Sequence, residues 1–199
     1  MSGRIARWKD VWARFSGRGT YPHELASLLL IPLRSAILSP SKLVSQLQLT
    51  ASSRVLEVGP GPGFFSVAVA RAVPRGRLDL VDIQLEMLGH ARRRLQDAGV
   101  RHAAFTQASA AQLPFRDAVF DVAFLVAVLG EVPDPAACLT SIARVLKPGG
   151  RLVIAELPGD PDVLTADQLR EFVVGTSLSF RSSNRASRAI ITTFEKTGN

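Results

Sequence analysis

VLEVGPGPGFFSVAVA, residues 55–70, is the stretch that decides the fold. An apolar run carrying one acid, Glu57, leads into three glycines at alternating positions, Gly59, Gly61 and Gly63, spaced by Pro60 and Pro62. A second apolar run of small residues follows. That order reads as strand, tight loop and helix. Glycine lets the main chain turn sharply and approach a ligand where a Cβ would collide. The dinucleotide fingerprint needs glycine at its first, third and sixth positions, but the sixth residue from Gly59 is Phe64. A phosphate-cradling P-loop ends in Gly-Lys-Ser/Thr, and here Phe64, Phe65 and Ser66 follow the last glycine. The loop therefore suits a ligand that is not dominated by phosphate.

Working outward, strands and helices alternate from Ser53 onward. RVLEVG is a strand and Phe64 to Val73 a helix. RLDLVDI is the next strand, and Leu85 to Ala98 a helix with Gly99 as its stop signal. HAAFTQ is a third strand. FDVAFLVA, apolar almost throughout, reads as a fourth strand covered on both faces. Asp134-Pro135 opens a helix to about Leu146, and KPGG turns the chain into RLVIAEL. Ala166 to Val174 reads as helix. SLSFRS and RAIITTF read as two last strands with a turn near Ser183-Asn184. Repeated βα units predict an α/β fold with helices on both faces. The sheet is Rossmann-like, seven-stranded and mostly parallel. The final pair, joined by a short turn, puts one antiparallel strand near the C-terminus. Ligands of such sheets sit outside the carboxyl ends of the strands where the winding reverses, and the first strand is the natural place.

An acid two positions before GxGxG, on a strand–loop–helix, resembles the first motif of class I S-adenosylmethionine (SAM) dependent methyltransferases. Asp82 extends the likeness: it closes the second strand, where a carboxylate can accept both hydroxyls of a ribose. QASAAQLPFRDAVFDVAF and LKPGGRLVIAE resemble the later strands of the same family, so the match covers roughly residues 50–158. The general pattern is that of the small-molecule group called type 11. The resemblance implies SAM as cofactor. It places Glu57, Gly59, Pro60, Gly61 and Gly63 around it, gives the ribose to Asp82, and makes Ile83 an apolar wall for adenine. Met87, one turn into the next helix, can touch adenine or equally pack in the core; the backbone of Ala110 can meet the adenine edge, and Val126 joins the cofactor residues. Family members usually carry an aspartate after the third strand for the adenine amino group; Ser109 stands there in this chain and brings one uncharged acceptor. Leu113-Pro114-Phe115 and Phe120-Asp121 match the family's usual run, with a structural role.

Methyl transfer from a sulfonium is an in-line displacement, so the protein's main task is to hold a nucleophile about 3 Å from the methyl and exclude water. No metal is required, and a base only where the acceptor must lose a proton. Glu131, just past the fourth strand, and His23, in the segment before the domain, are the candidate catalytic residues. Tyr21 lies beside His23. Glu156 ends the fifth strand and can line the acceptor site, with Leu157 to Thr165 shaping specificity.

The chain has 199 residues, 47% hydrophobic and 21% charged, which suits one domain with a continuous core. Residues 1–50 read as a helical lid segment and 51–199 as the SAM-binding domain. A lone cysteine, Cys138, excludes an internal disulfide, and no Cys/His cluster suits a structural zinc. No apolar signal core follows MSGRIARWKD, and no run reaches the ~20 apolar residues of a membrane span, so a cytoplasmic protein is expected. The surplus of +7 sits at the two ends. Arg4, Arg7, Lys9, Arg14 and Arg18 oppose Asp10, and Arg181, Arg185, Arg188 and Lys196 oppose Glu195. Ile5, Trp8, Val11, Trp12 and Phe15 fall at helical spacing among the first group, as a lid over the pocket or as a peripheral membrane contact of residues 1–18. A second apolar segment starts at His23, with Pro32 ending or kinking it, and Ser39-Pro40 opens a helix to about Gln48. The leading expectation is a methyltransferase acting on O, N or S of a small, apolar or amphipathic acceptor. Three alternatives compete. An RNA or DNA methyltransferase would suit the basic ends, but Asn/Asp-Pro-Pro-aromatic is missing where LVAVLGEVP stands. A membrane-associated lipid-headgroup methyltransferase would use the Trp-rich end. A non-catalytic SAM-binding protein would suit Ser109 and the lack of an evident base. The oligomeric state is not encoded in any feature of the sequence.

Overall fold

The computed structural model describes residues 33–160 and 162–198. The helices are α1 (Leu33–Ile37), α2 (Pro40–Leu47), α3 (Ser66–Ala72), α4 (Leu85–Asp97), α5 (Pro135–Val145) and α6 (Ala166–Phe172). The strands are β1 (Arg54–Val58), β2 (Arg77–Asp82), β3 (Ala103–Gln107), β4 (Phe120–Val126), β5 (Leu146–Glu156), β6 (Leu178–Ala186) and β7 (Ala189–Lys196). They form one seven-stranded sheet in the order β3-β2-β1-β4-β5-β7-β6. β1 to β5 run parallel, and β7 is antiparallel to both β5 and β6. The Rossmann-like sheet with a single reversed strand is the architecture expected from the alternation of elements.

Strand alternation divides the core in two. Val55, Leu78, Leu80, Val122, Phe124 and Val153 face a layer that includes Leu43 and Leu47 of α2, Val69 of α3 and Leu88 of α4. Leu56, Val58, Val81, Leu125 and Ile154 face Leu139 and Ile142 of α5 and Leu169 of α6. Of the segment expected to form a lid, the described part does something different. Leu38, Leu43 and Leu47 are fully buried in the first core layer, so residues 38–47 belong to the body of the domain. His23, Tyr21 and the Trp-bearing residues 1–18 lie outside the described residues.

Local chemistry sets the helix ends. Ser39 caps α2, its hydroxyl accepting from the Lys42 N–H at 3.3 Å, with Pro40 in the first turn. Asp134 caps α5 through the Ala137 N–H at 2.9 Å. Thr165 and Gln168 form a reciprocal capping box on α6. At the far end of α2 the chain leaves through Gln48 in the left-handed region, φ 47°. Arg151 of β5 holds this exit. Its guanidinium donates to the Leu47 carbonyl at 2.9 Å, to the Gln48 carbonyl at 2.6 Å and to the Gln48 side-chain oxygen. Arg151→Ala is therefore expected to loosen α2 and cost about 1–3 kcal/mol. Urea denaturation should show a lower midpoint at an unchanged slope.

Two boundaries differ from the sequence reading. KPGG, expected as a turn, is carried inside β5. The pairing jumps from Phe120↔Leu146 to Val122↔Arg151, so Lys147–Gly150 form an irregularity in the strand rather than its prelude. Gly149, at φ 73°, supplies the kink. The last turn is not at Ser183-Asn184 but at Ser187-Arg188, between the paired Ala186 and Ala189. Ser183 and Asn184 stay in register opposite Thr192 and Ile191, and the Ser183 and Thr192 hydroxyls lie 3.2 Å apart. A polar run reads as a turn, yet an outermost strand tolerates polar residues because one of its edges faces no neighbouring strand.

Candidate active site

The winding reverses between β1 and β4, and the candidate residues gather at the carboxyl ends of these strands and their neighbours. Gly59, Gly61 and Gly63 all take positive φ, at 67°, 53° and 80°. Gly59 also has no room for a side chain: a Cβ there would lie 2.5 Å from a methyl of Val128, just beyond β4. The β1 loop and the β4 loop thus touch. Pro60 is buried, its carbonyl accepting from the Gly63 N–H at 3.0 Å. α3 starts at Ser66 rather than Phe64, because the glycine turn consumes Phe64 and Phe65, whose rings meet edge to face.

The buried carboxyls of Glu57 and Asp82 lie at the centre of the candidate site. Glu57 is 3% exposed, and its Oε2 has no hydrogen-bond partner. Burial pushes its carboxyl up to about 8, against a hydrogen bond from the Ser66 hydroxyl that pulls it down, and the nearby Asp82 charge adds to the rise. Ser66, at the start of α3, is also buried, with its hydroxyl beside the Glu57 carboxyl. The sequence reading missed it; a lone hydroxyl in an otherwise apolar helix start was the available signal. Asp82 is 9% exposed and accepts from the Gln84 N–H at 2.9 Å. Burial raises it above the ordinary carboxylate range, while the backbone N–H groups of Gln84, Gly61 and Ile83 pull it back. Beside Asp82 the chain turns apolar side chains outward: Ile83 is 56% and Leu85 60% exposed. Met87 is 2% exposed and Val126 7% exposed, so both are packed side chains rather than open walls. Ser109 is exposed, its hydroxyl accepting from the Ala111 N–H at 3.3 Å, and Ala110 is half-buried against the second core layer.

On the acceptor side, Glu131 closes a short 3-10 turn, Leu129–Glu131, directly after β4. The segment after β5 returns onto that turn: a Cβ on Gly130 would lie 1.9 Å from the Asp162 carbonyl oxygen. Glu156, the last residue of β5, is 2% exposed, and its Oε1 has no hydrogen-bond partner. Burial raises its carboxyl to about 8, Asp160 raises it further, and the Leu164 N–H opposes them. Cys138 is buried with its thiol pushed up to about 12, which leaves no nucleophile there. Among the described residues, no group of three or more His, Cys, Asp or Glu could hold a metal ion, and no helix is long and apolar enough to cross a membrane. The Asp121 carboxylate ties the opposite end of the sheet, accepting from the Arg54 N–H at 2.7 Å and from Lys147 Nζ at 2.6 Å, the structural role expected of it.

Comparison with known proteins agrees with this geometry. Residues 56–154 match the family model of a methyltransferase domain. The ubiquinone/menaquinone biosynthesis C-methyltransferase UbiE of Cellvibrio japonicus is 43% identical over 105 residues, 52% of this chain and 42% of the relative. Its counterpart in Ectopseudomonas mendocina is 42% identical over 113 residues, 55% of this chain and 44% of the relative. The chain therefore spans less than half the length of these curated relatives. Among solved structures, a SAM dependent methyltransferase from Aquifex aeolicus superposes with a TM-score of 0.83 at 19% identity, over 89% of this chain and all of that one. The chain belongs to the class I SAM-dependent methyltransferases, and SAM is the cofactor of its domain. Both of these curated relatives are named as C-methyltransferases.

Proposed function

We propose that the chain transfers the methyl of SAM to a carbon atom of a small, electron-rich, hydroxylated acceptor. The observation that carries the cofactor half is the buried Glu57–Asp82 pair at the ends of adjoining strands, beside a loop whose main chain is bare at three positive-φ glycines. The orphaned Oε2 of Glu57 has an acceptor to spare, which fits a ligand rich in donors and positive charge. SAM supplies, when bound, an electrophilic methyl on a positively charged sulfonium. Asp82 would hold the ribose hydroxyls, Ile83 and Leu85 would offer adenine an apolar surface, and Ser109 and Ala110 would border its edge. Gly59, Pro60, Gly61 and Gly63 let the main chain come close, and Glu57 sits beneath them as the carboxyl nearest the loop. No charged nucleophile on the protein is needed, because the acceptor carries its own.

The carbon acceptor replaces the expectation of O, N or S, and its support is that the relatives are named C-methyltransferases. The same names favour a small-molecule acceptor over nucleic acid. A phenol or enol oxygen makes the neighbouring carbon nucleophilic once its proton is shared with the protein. The test uses the full chain, methyl-13C SAM and 1,4-dihydroxynaphthalene kept reduced. A 13C methyl on a ring carbon in the product spectrum is the expected result. A methoxy carbon, or no product, overturns the choice of atom.

A further inference from the structure

We infer that Glu156 is a catalytic residue, whose unpartnered carboxyl oxygen receives the acceptor's hydroxyl hydrogen as the carbon–methyl bond forms; this rests on the carbon-methyltransferase reading above.

Position comes first. The β1 loop contacts the β4 loop through Gly59 and Val128, which puts the reacting end of the cofactor site over β4. β5 is the next strand, joined there by the Ala127 N–H donating to the Ala155 carbonyl at 2.8 Å. Glu57 is level with Phe124 of β4 and Val153 of β5. Glu156 thus lies two strand spacings across, roughly 10 Å, and three residues further out along the strand, roughly another 10 Å. Strand alternation sends the Glu57 and Glu156 side chains to opposite faces of the sheet, so what the two share is its carboxyl edge, where ligands of such sheets sit.

Burial comes second. A carboxyl that is 2% exposed with one oxygen unpaired forgoes a hydrogen bond that water would give it. A purely structural acid at the end of a strand would be paired. The Leu164 N–H serves the carboxyl from the returning loop, and Asp160 is the charged group that faces it. β7 presents the apolar Ile190 opposite it, and β4 ends in Val126, with Ala127 following it. Among the described residues no cation pairs with it. What remains is an unpaired acceptor oxygen on the last residue of β5, at the edge where ligands of such sheets sit, and a hydroxyl is a group that completes it.

The step balances. The acceptor's O–H electron pair becomes the C=O of a dienone as the ring carbon attacks the methyl. The S–CH3 bond breaks with its pair left on sulfur, and the proton passes to the ionised Glu156. Loss of the ring proton to water then restores the aromatic ring, and Glu156 returns its proton to the oxygen. The net release is one proton and one thioether.

The experiment compares wild type, Glu156→Gln and Glu156→Asp as full chains saturated with S-adenosylhomocysteine, titrated calorimetrically with 1,4-dihydroxynaphthalene and with its dimethoxy ether. Turnover against pH is measured alongside with SAM. Wild type should bind the dihydroxy compound at least tenfold more tightly than the ether, and Glu156→Gln should erase that preference while SAM affinity stays within twofold. Glu156→Asp should restore part of it, and the rise of kcat toward pH 8 should vanish in the Gln variant. Failure of wild type to prefer the dihydroxy compound, or a preference that survives Glu156→Gln, overturns the assignment. A Glu156-dependent preference with methyl found on oxygen keeps Glu156 as the group that meets the acceptor hydroxyl and sinks carbon transfer instead; no turnover overturns its catalytic role.

Discussion

Asp82→Ala is expected to bind SAM at least tenfold more weakly, about 1.4 kcal/mol, with the fold retained. The carboxylate is anchored by the Gln84 N–H at 2.9 Å and approached by the Gly61 and Ile83 N–H groups, so it is fixed before any ligand arrives. An alanine removes the acceptor for two hydroxyls and leaves those N–H groups without their partner. Gly61→Val should lose at least as much by a different route. Gly61 sits at φ 53°, where a β-branched residue is strained, so the loop must reshape under the cofactor. Asp82→Asn separates charge from shape, since the amide keeps one acceptor. Calorimetric titration of the three variants, with circular dichroism to verify folding, is the measurement. Unchanged affinity in folded Asp82→Ala or Gly61→Val refutes the placement of the cofactor.

What was legible in the sequence is what local chemistry encodes. Gly59, Gly61 and Gly63 between an apolar strand and a small-residue helix can hardly form anything but a tight βα turn, and Asp82 at the close of the next strand must face the same edge. Hidden from a linear reading were facts that need distant chain. Glu156 was visible as a strand-ending acid. Its unpaired oxygen was not, because that depends on Leu164 and Asp160 folding back onto the strand. Met87 has the same helical spacing whether it packs or lines a pocket, and only the assembled core shows it 2% exposed. Lys147–Gly150 read as a turn by composition, yet pairing with β4 on either side of a register jump keeps it in the sheet.

The buried carboxyls should make the protein less stable as pH rises from about 5 to 8, the reverse of ordinary acid denaturation. In the unfolded chain Glu57 and Glu156 ionise near the ordinary 4.5; folded, burial holds each to about 8. Between those values the folded state keeps protons that the unfolded state has given up. Stability then falls with pH by up to about 1.4 kcal/mol per unit for each carboxyl, and levels off above pH 8. Below pH 4.5 both states are protonated and the two groups contribute no slope. Asp82, raised by burial in the same sense, adds to the trend. Urea midpoints of wild type should therefore drop steadily across that window, and Glu57→Gln and Glu156→Gln should each flatten the curve. A positively charged ligand reverses the preference, since it favours the ionised form of Glu57. SAM affinity should rise toward pH 8, and binding at pH 7 should release protons, seen as different heats in phosphate and Tris. A flat urea profile would show that these acids are solvated in the folded protein. Equal heats in the two buffers would show that Glu57 does not meet the cofactor's charge.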